Sequence, residues 1–197
     1  AVISGAGELI TELAEKLQSP VVNTLLGKGA VDETHALHLG MLGMHGTAYA
    51  NKAVQNCDLI MAIGARWDDR ITGRLSEFCP DATRIHVDID RAEFDKTVTS
   101  HVQLLGDAKL VIEDLLPLVE PNDTRAWVKQ CETWRRQYPL KYAKRGGLRA
   151  QHVLDRLDAL IQGEALVTTD VGQHQMWAAQ FIRTRKNRHW LSSGGAG

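Results

Sequence analysis

A run of five apolar residues with no polar interruption constrains this 197-residue chain more than any other feature. It covers 59–63 and reads Leu-Ile-Met-Ala-Ile. Its length is that of a strand, and its lack of alternation predicts a parallel strand covered on both faces. Ligands of open α/β sheets bind beyond the carboxyl ends of the strands. The residues after the run therefore predict a site for an anionic or dinucleotide ligand: Gly64, Arg66, Asp68, Asp69 and Arg70.

Two neighbouring stretches agree with a nucleotide site without proving it. Three upstream glycines have no Cβ and let the backbone approach a flat ligand: Gly40, Gly43 and Gly46. The segment 84–90 is rich in β-formers, and Asp88 follows Gly64 by about the 20 residues that place a ribose-binding acid in dinucleotide sites. The G-x-G-x-x-G fingerprint is absent, because Ile10 stands where its third glycine would be. Spacing alone leaves a dinucleotide site and an ordinary α/β core equally open.

Strand, glycine and helix patterns alternate along the chain, which predicts an α/β fold with a doubly wound parallel sheet. Helical periodicity covers 7–18, 47–56 and 108–118, and strand patterns cover 21–26, 59–63, 85–89 and 102–105. Asp107 is the expected N-cap of the third helix. A linker is expected from Glu120, followed by a helix at 124–137 that carries two tryptophans. A second unit is expected from Arg149, with helices at 151–161 and 176–182, a strand at 165–170 and an exit loop at 171–175.

Composition excludes some classes of function. The net charge is −1 and no basic run occurs, which argues against a nucleic-acid surface. No apolar stretch reaches the ~18 residues of a membrane span, and no signal peptide is expected before Ala1. The three cysteines lack a C-x-x-C pattern, which predicts buried thiols in a reduced compartment: Cys57, Cys79 and Cys131. His35 and His38 have a metal-ligand spacing, but no second pair accompanies them, so surface histidines are expected.

Four stretches resemble the family of acetolactate synthase (acetohydroxyacid synthase) large catalytic subunits, which are thiamine-diphosphate-dependent: LGMLGMHGTAYAN, GARWDDRITGR, HVDID and TTDVGQHQMWAAQ. The resemblance covers nearly the whole chain, in order, and these motifs are more specific than a generic nucleotide motif. It implies a central FAD-binding domain at 1–119 that lacks its first strand. It further implies a linker with a helix at 120–148 and the incomplete N-terminal part of a thiamine-diphosphate-binding domain at 149–197.

The resemblance also implies site residues. FAD would lie along Thr24, Leu25, Gly27, Leu42, Gly43, Met44, His45, Gly64, Arg66, Asp68, Arg70, Asp88, Ile89, Gly106, Asp107 and Gln175. The diphosphate of thiamine diphosphate would lie on Val171, Gly172, Gln173 and His174. Arg70 and Met44 would also bind the second 2-ketoacid, because a guanidinium offers a planar fork to a carboxylate. The alternative for Arg70 is an ion pair with Asp68 or Asp69.

The implied activity is the decarboxylation of pyruvate and its condensation with pyruvate or 2-ketobutyrate, in the biosynthesis of valine, leucine and isoleucine. FAD would be mainly structural, because the net reaction moves no electrons. The family's catalytic glutamate is expected upstream of Ala1 and its Mg²⁺ motif beyond Gly197. The chain would thus hold no catalytic residue and no metal ligand and be inactive alone. Arg91 departs from the family pattern, since a proline usually stands there.

Alternative functions of the chain stay open. Pyruvate oxidase and glyoxylate carboligase have similar central domains, although the GARWDDR turn argues against both. A non-catalytic FAD-binding module is the alternative from another class. The resemblance further implies a homodimer or tetramer of large subunits, with a small regulatory subunit, in a bacterial cytoplasm or in an organellar matrix or stroma.

Overall fold

Strands and helices alternate along the chain, as the glycine-punctuated pattern predicts. The computed structural model describes residues 1–143 and 145–194. The helices are α1 (Gly7–Leu17), α2 (Ala48–Gln55), α3 (Asp69–Thr72), α4 (Ala108–Leu115), α5 (Arg125–Gln137), α6 (Ala150–Ile161) and α7 (Gln173–Phe181). The strands are β1 (Val21–Asn23), β2 (His38–Met41), β3 (Leu59–Ile63), β4 (Thr83–Asp88), β5 (Val102–Leu105), β6 (Val167–Thr169) and β7 (Trp190–Ser192).

Side-chain caps explain where several helices begin. The Asp107 carboxylate accepts a hydrogen bond from the Lys109 N–H at 2.9 Å, which confirms the predicted cap of α4. The Thr47 hydroxyl likewise accepts from the Ala50 N–H at 3.2 Å and starts α2. These caps fix both helices directly after the glycine-containing loops at the carboxyl ends of β2 and β5.

The strands are parallel in every ladder, which confirms the α/β class. The ladders have the orders β1-β2, β3-β4-β5 and β6-β7. The sequence predicts one sheet, but the structure has separate ladders, because β1 and β3 do not pair with each other in the described residues. Both strands instead line a cavity of about 470 Å³. The prediction that β3 is covered on both faces is confirmed beyond its first residue. Ile60 and Ala62 pack in one core cluster and Met61 and Ile63 pack on another, while Leu59 at the start is 49% exposed.

Other boundaries differ for local reasons. The predicted strand at 21–26 ends at Asn23, because the Thr24 hydroxyl accepts from the Gly27 N–H at 3.0 Å and closes a short 3₁₀ turn over Leu25–Gly27. The loop predicted at 171–175 is wrong in its second half, because α7 already begins at Gln173. Strands β2 and β7 were not predicted at all.

Helix α5 packs against the core formed by the first half of the chain. Its Cys131 is 1% exposed in a core cluster with residues of α2 and β3, and Trp127 and Trp134 pack on the same cluster. The two indole rings meet edge to face at 5.6 Å. Burial raises the pKa of the Cys131 thiol to about 11. The segment expected as a linker thus contains a helix that covers the core.

The described cysteines are free thiols, of which Cys79 and Cys131 are buried, as predicted, and Cys57 is half-buried. The expectation of surface histidines is wrong for His38, which begins β2 and is 5% exposed. Within 1–143 and 145–194, no three His, Cys, Asp or Glu side chains form a cluster that could hold a metal ion. No helix in those ranges has the length and apolar character needed to cross a membrane.

Candidate functional site

The carboxyl ends of β3, β4 and β5 form one edge that joins four of the predicted FAD residues. The Gly64 N–H donates to the Val87 carbonyl at 2.7 Å, and the Gly106 N–H donates to the Asp88 carbonyl at 2.9 Å. Asp107 follows as the cap of α4. Gly64, Asp88, Gly106 and Asp107 therefore lie side by side, as strand order and spacing predict.

The Asp88 carboxylate keeps one oxygen available at this edge. Its Oδ1 accepts from the Asp90 N–H at 2.9 Å, and its Oδ2 lies 3.8 Å from His86 Nε2. His86 is fully buried with its ring edge-on to Trp67 and Phe94, at centroid distances of 5.7 and 5.1 Å. This burial lowers the pKa of His86, against the opposing effect of Asp88. A neutral imidazole behind Asp88 leaves its negative charge for a ligand hydroxyl group.

The cavity between β1 and β3 brings residues from three strand exits together. The Leu42 N–H donates to the Asn23 carbonyl at 3.1 Å, which joins the exits of β1 and β2. Five predicted FAD residues line the cavity: Thr24, Gly27, Leu42, Gly64 and Arg66. Because most of the cavity wall is apolar and its rim holds polar groups, its chemistry suits a large, flat ligand with a polar tail.

A clamp around Gly43 was missed by sequence reasoning. The Asn51 side chain accepts from the Gly43 N–H at 2.7 Å and donates to the Gly43 carbonyl at 2.9 Å. Gly43 has φ +95°, and a Cβ there would lie 2.5 Å from the Arg70 carbonyl oxygen. The Met44 N–H donates to that same oxygen at 2.7 Å. This backbone contact holds the loop after β2 against α3, and only a glycine permits it.

Met44 and Arg70 line one pocket of about 370 Å³, together with Leu42, Asn51 and Phe78. The Arg70 side chain is 70% exposed, and its Nε lies 3.6 Å from the 83% exposed Asp69 carboxylate. The alternative ion pair is therefore present, but exposed pairs of this length contribute little. The Asp68 carboxylate instead caps α3, because it accepts a hydrogen bond from the Arg70 N–H at 3.2 Å. The guanidinium thus remains able to bind a carboxylate in the pocket.

A second candidate site is the N-terminus of α7. Gly172 has φ +151°, and a Cβ there would lie 2.9 Å from the His174 ring. The Val171 N–H is used by the Asp170 carboxylate at 2.8 Å. In the described residues, the N–H groups of Gly172, Gln173 and His174 have no protein acceptor. Free N–H groups at the positive end of a helix form an anion site, so the predicted diphosphate residues fit a phosphate group.

Eight predicted FAD residues line neither cavity: Leu25, His45, Asp68, Asp88, Ile89, Gly106, Asp107 and Gln175. Three of them have surroundings that do not suit a ligand contact. Gln175 is fully buried, and its amide nitrogen donates to Ser192 Oγ at 2.7 Å and to the Gly194 carbonyl at 3.0 Å. Ile89 projects outward, being 72% exposed. The exposed His45 contributes its carbonyl, which accepts from Gln180 Nε2 at 2.8 Å and ties the loop to α7. A direct FAD contact by Gln175 remains a prediction.

Comparison with known protein families gives two matches. Residues 1–115 match the central domain of thiamine pyrophosphate enzymes, thiamine pyrophosphate being another name for thiamine diphosphate. Residues 170–197 match the C-terminal thiamine-pyrophosphate-binding domain of such enzymes. The first match contains the β1 to β5 edge, and the second begins two residues before Gly172.

Similar proteins include acetolactate synthases of red algae and bacteria. The chain is 47% identical to the acetolactate synthase large subunit of Porphyra purpurea, an alignment that covers 100% of this chain and 34% of the relative. It is 43% identical to the acetolactate synthase isozyme 3 large subunit of Escherichia coli, over 100% of this chain and 36% of the relative. Identity to an acetolactate synthase of Mycobacterium bovis is 43%, over 98% of this chain and 32% of the relative. The chain thus spans about a third of the length of these relatives.

Proposed function

Because this chain belongs to the thiamine pyrophosphate enzymes, we propose that it forms the middle part of an acetolactate synthase large subunit. In the acetolactate synthase reaction, pyruvate is decarboxylated and joined to a second 2-ketoacid, which is a step of branched-chain amino-acid biosynthesis. The observation that carries the proposal is the pocket that Met44 and Arg70 share at the carboxyl edge of the sheet. Identity of 47% and 43% to two acetolactate synthase large subunits across the whole chain supports it.

The domain division at 119 and 149 is part of this proposal. The family matches at 1–115 and 170–197 support it. Helix α5, within the segment between the two domains, packs on the core of the first. We therefore infer that 120–148 leaves the central domain only after α5 has covered its core.

FAD would be held along the carboxyl edge, with Asp88 accepting the ribose hydroxyl groups. The cavity wall, the free Asp88 oxygen and the glycine at position 64 fit such a ligand. In the part of the chain that the structure describes, β1 pairs only with β2, β3 pairs only with β4, and both strands line the cavity. An extended segment that runs parallel to both would pair with each. We assign this place to the first strand that the family resemblance implies. Such a strand would join the two ladders into one sheet and complete the FAD site.

Thiamine diphosphate would be held at α7, where the free N–H groups from Gly172 to His174 take its diphosphate. When bound, it supplies the electron sink for the decarboxylation of pyruvate. The role of Arg70 is separate: its guanidinium would orient the carboxylate of the second 2-ketoacid, with Met44 as an apolar wall. The Mg²⁺ ligands and the catalytic glutamate are expected in other parts of the subunit.

The partners and location of the subunit are proposed as well. We expect a homodimer or tetramer of large subunits and a small regulatory subunit, in a bacterial cytoplasm or an organellar matrix or stroma. The relatives from a red alga and a bacterium carry the designation large subunit, which supports a smaller companion. Upstream sequence separates this proposal from the FAD-binding module without catalysis, because only the enzyme requires the catalytic glutamate.

Replacing Arg70 by alanine in the complete subunit should change substrate choice more than cofactor retention. A lost bidentate carboxylate contact corresponds to about 1.5–3 kcal/mol, or roughly ten- to hundredfold in KM for the second 2-ketoacid. Competition kinetics with pyruvate and 2-ketobutyrate measure the effect. Arg74→Ala is the matched control, since Arg74 is equally exposed but pairs with Glu77. An unchanged product ratio and unchanged KM values for Arg70→Ala would refute the substrate role.

Replacing Asp88 by alanine should weaken FAD binding by about 1–3 kcal/mol, or roughly five- to 150-fold in Kd. Titration of the complete subunit with FAD, followed by quenching of flavin fluorescence, gives the dissociation constant. Asp90→Ala is the control, because Asp90 caps the next turn through the Ala92 N–H in the same way but is exposed. The isolated chain should bind FAD weakly, since the first strand that we assign to the cavity between β1 and β3 would come from the complete subunit. Equal affinities of Asp88→Ala and Asp90→Ala would show that the adenosine end lies elsewhere.

A further inference from the structure

A buried ion pair connects the two candidate sites. Lys28, the residue directly after the turn at Leu25–Gly27, is 3% exposed. Its ammonium group lies 2.6 Å from the Glu33 carboxylate, whose side chain is 5% exposed. Burial lowers the pKa of Lys28 and raises that of Glu33, while the attraction between the two opposes both shifts. A charged pair with so little water contact holds its partners in one geometry.

The ammonium group of Lys28 also binds the far end of α7. It donates to the carbonyls of Ala179 and Ile182, each at 3.1 Å, and lies 5.2 Å from the centre of the Trp190 ring. The last carbonyls of a helix have no partner within the helix, and a cation there is favoured by the helix dipole. Lys28 therefore caps α7 from a segment about 150 residues away in the chain.

Glu33 makes a second connection to the same region. Its Oε2 accepts from the Thr184 N–H at 2.9 Å, and its own N–H donates to the Thr184 carbonyl at 3.1 Å. Lys28 and Glu33 together thus hold the end of α7 and the residues after it. Since α7 has nine residues, its N-terminal anion site lies about 13 Å from the capped end on one rigid rod.

Stability alone does not account for this pair. Buried ion pairs are costly to desolvate, and a pair of apolar residues of similar volume is often as stable. What an apolar pair cannot do is donate to the carbonyls of Ala179 and Ile182. The geometry therefore points to orientation of α7 as the role of Lys28.

We propose that Lys28 and Glu33 are positioning residues. They couple the FAD cavity, which Thr24 and Gly27 line, to the diphosphate site at the start of α7. A ligand that orders the turn before Lys28 fixes the ammonium group, which fixes α7 and its free N–H groups. Because coupling between sites is reciprocal, FAD should tighten thiamine diphosphate by the factor by which thiamine diphosphate tightens FAD. This inference rests on the proposed function, since it takes these two cofactors as the ligands.

The test measures this coupling factor in the complete subunit. Thiamine diphosphate is titrated with Mg²⁺, with and without saturating FAD, and followed by tryptophan fluorescence. The wild type should show a factor of about five or more. The Lys28→Met/Glu33→Leu double variant, which keeps the volume but removes the donor, should show a factor close to one. In Lys186→Met/Glu164→Leu, which removes an exposed ion pair, the wild-type factor should persist.

The outcomes are distinct. A factor of one in the wild type, or a wild-type factor in the double variant, overturns the coupling while the cofactors still bind. If the double variant does not fold, Glu33→Gln replaces it: glutamine still accepts from the Thr184 N–H but no longer holds Lys28 by charge, so its factor should also fall, and a wild-type factor overturns the proposal. If the wild type binds neither FAD nor thiamine diphosphate, the proposed function itself has failed, and the coupling fails with it.

Discussion

Gly43→Ala should destabilise the complete subunit and disable its 2-ketoacid pocket together. The added Cβ would lie 2.5 Å from the Arg70 carbonyl oxygen, and both partners of this clash are backbone. Alanine at a φ of +95° also has a strained backbone, at about 1–3 kcal/mol. Because the Arg70 carbonyl must move, its hydrogen bond from the Met44 N–H should break. We expect a total loss of about 2–5 kcal/mol in the free energy of unfolding.

Urea unfolding measures the stability of this variant, and the KM for pyruvate in the complete subunit measures its pocket. Gly5→Ala is the matched control, since Gly5 has φ +68° but its Cβ would meet no atom within 4 Å. The control should show the backbone strain alone, with an unchanged KM. The variant should also show a KM raised at least about tenfold, by the loss of one charge-assisted contact. If Gly43→Ala matched Gly5→Ala in both measurements, close approach to α3 would not be the reason for glycine here.

The parts of this fold that follow from local rules were predictable. Strand β3 has the bounds that the sequence predicts. The apolar run between Asp58 and Gly64 has the length of a strand and is too short for a typical helix. Asp107 could be predicted as a cap because an aspartate directly before a helical pattern commonly accepts a hydrogen bond from an N–H group of the first turn. Strand exits at Gly64, Asp88 and Gly106 could be placed at one edge, because parallel strands bring their carboxyl ends together.

What depends on distant contacts could not be predicted. Strand β2 has only four residues, one of them glycine, and it forms because β1 pairs with it. Strand β7 is held by β6 in the same way. The Asn51 clamp reaches back eight residues to Gly43, which no periodicity records. Lys28 lies between Gly27 and Gly29, a pattern that predicts a turn and nothing more, because its partners at the end of α7 lie some 150 residues further on.

His38 shows how such a contact changes a prediction. From spacing alone it resembled a surface histidine beside His35. In the structure its Nδ1 accepts from the Gly40 N–H at 3.2 Å, which requires an unprotonated nitrogen there. Burial, together with the positive charges of Lys28, Arg135 and His35, lowers the pKa of His38 to about 3, against a smaller opposing effect of Asp32. The folded chain thus holds a neutral imidazole at a pH where a free one is charged.

The stability of the chain should therefore fall as the pH falls below about 6.5. Above that pH, His38 is neutral in both the folded and the unfolded state and contributes no pH dependence. Between pH 6.5 and the folded pKa of about 3, the unfolded state binds a proton that the folded state does not, so each pH unit removes up to about 1.4 kcal/mol. The loss attributable to His38 is about 2 kcal/mol at pH 5 and about 4 kcal/mol at pH 3, where the folded state is itself half protonated.

His38→Asn isolates this effect, because the asparagine oxygen can accept from the Gly40 N–H but does not titrate. Urea unfolding of the 197-residue chain and of this variant at pH 7, 6, 5 and 4.5 gives two curves whose difference belongs to His38. The variant should be less sensitive to acid, yet keep some of the slope, since the lowered pKa of the buried His86 acts in the same direction. Carboxylate titration is common to both proteins and cancels in the difference. Parallel curves over this range would mean that His38 can be protonated without unfolding, and that the start of β2 is open to water.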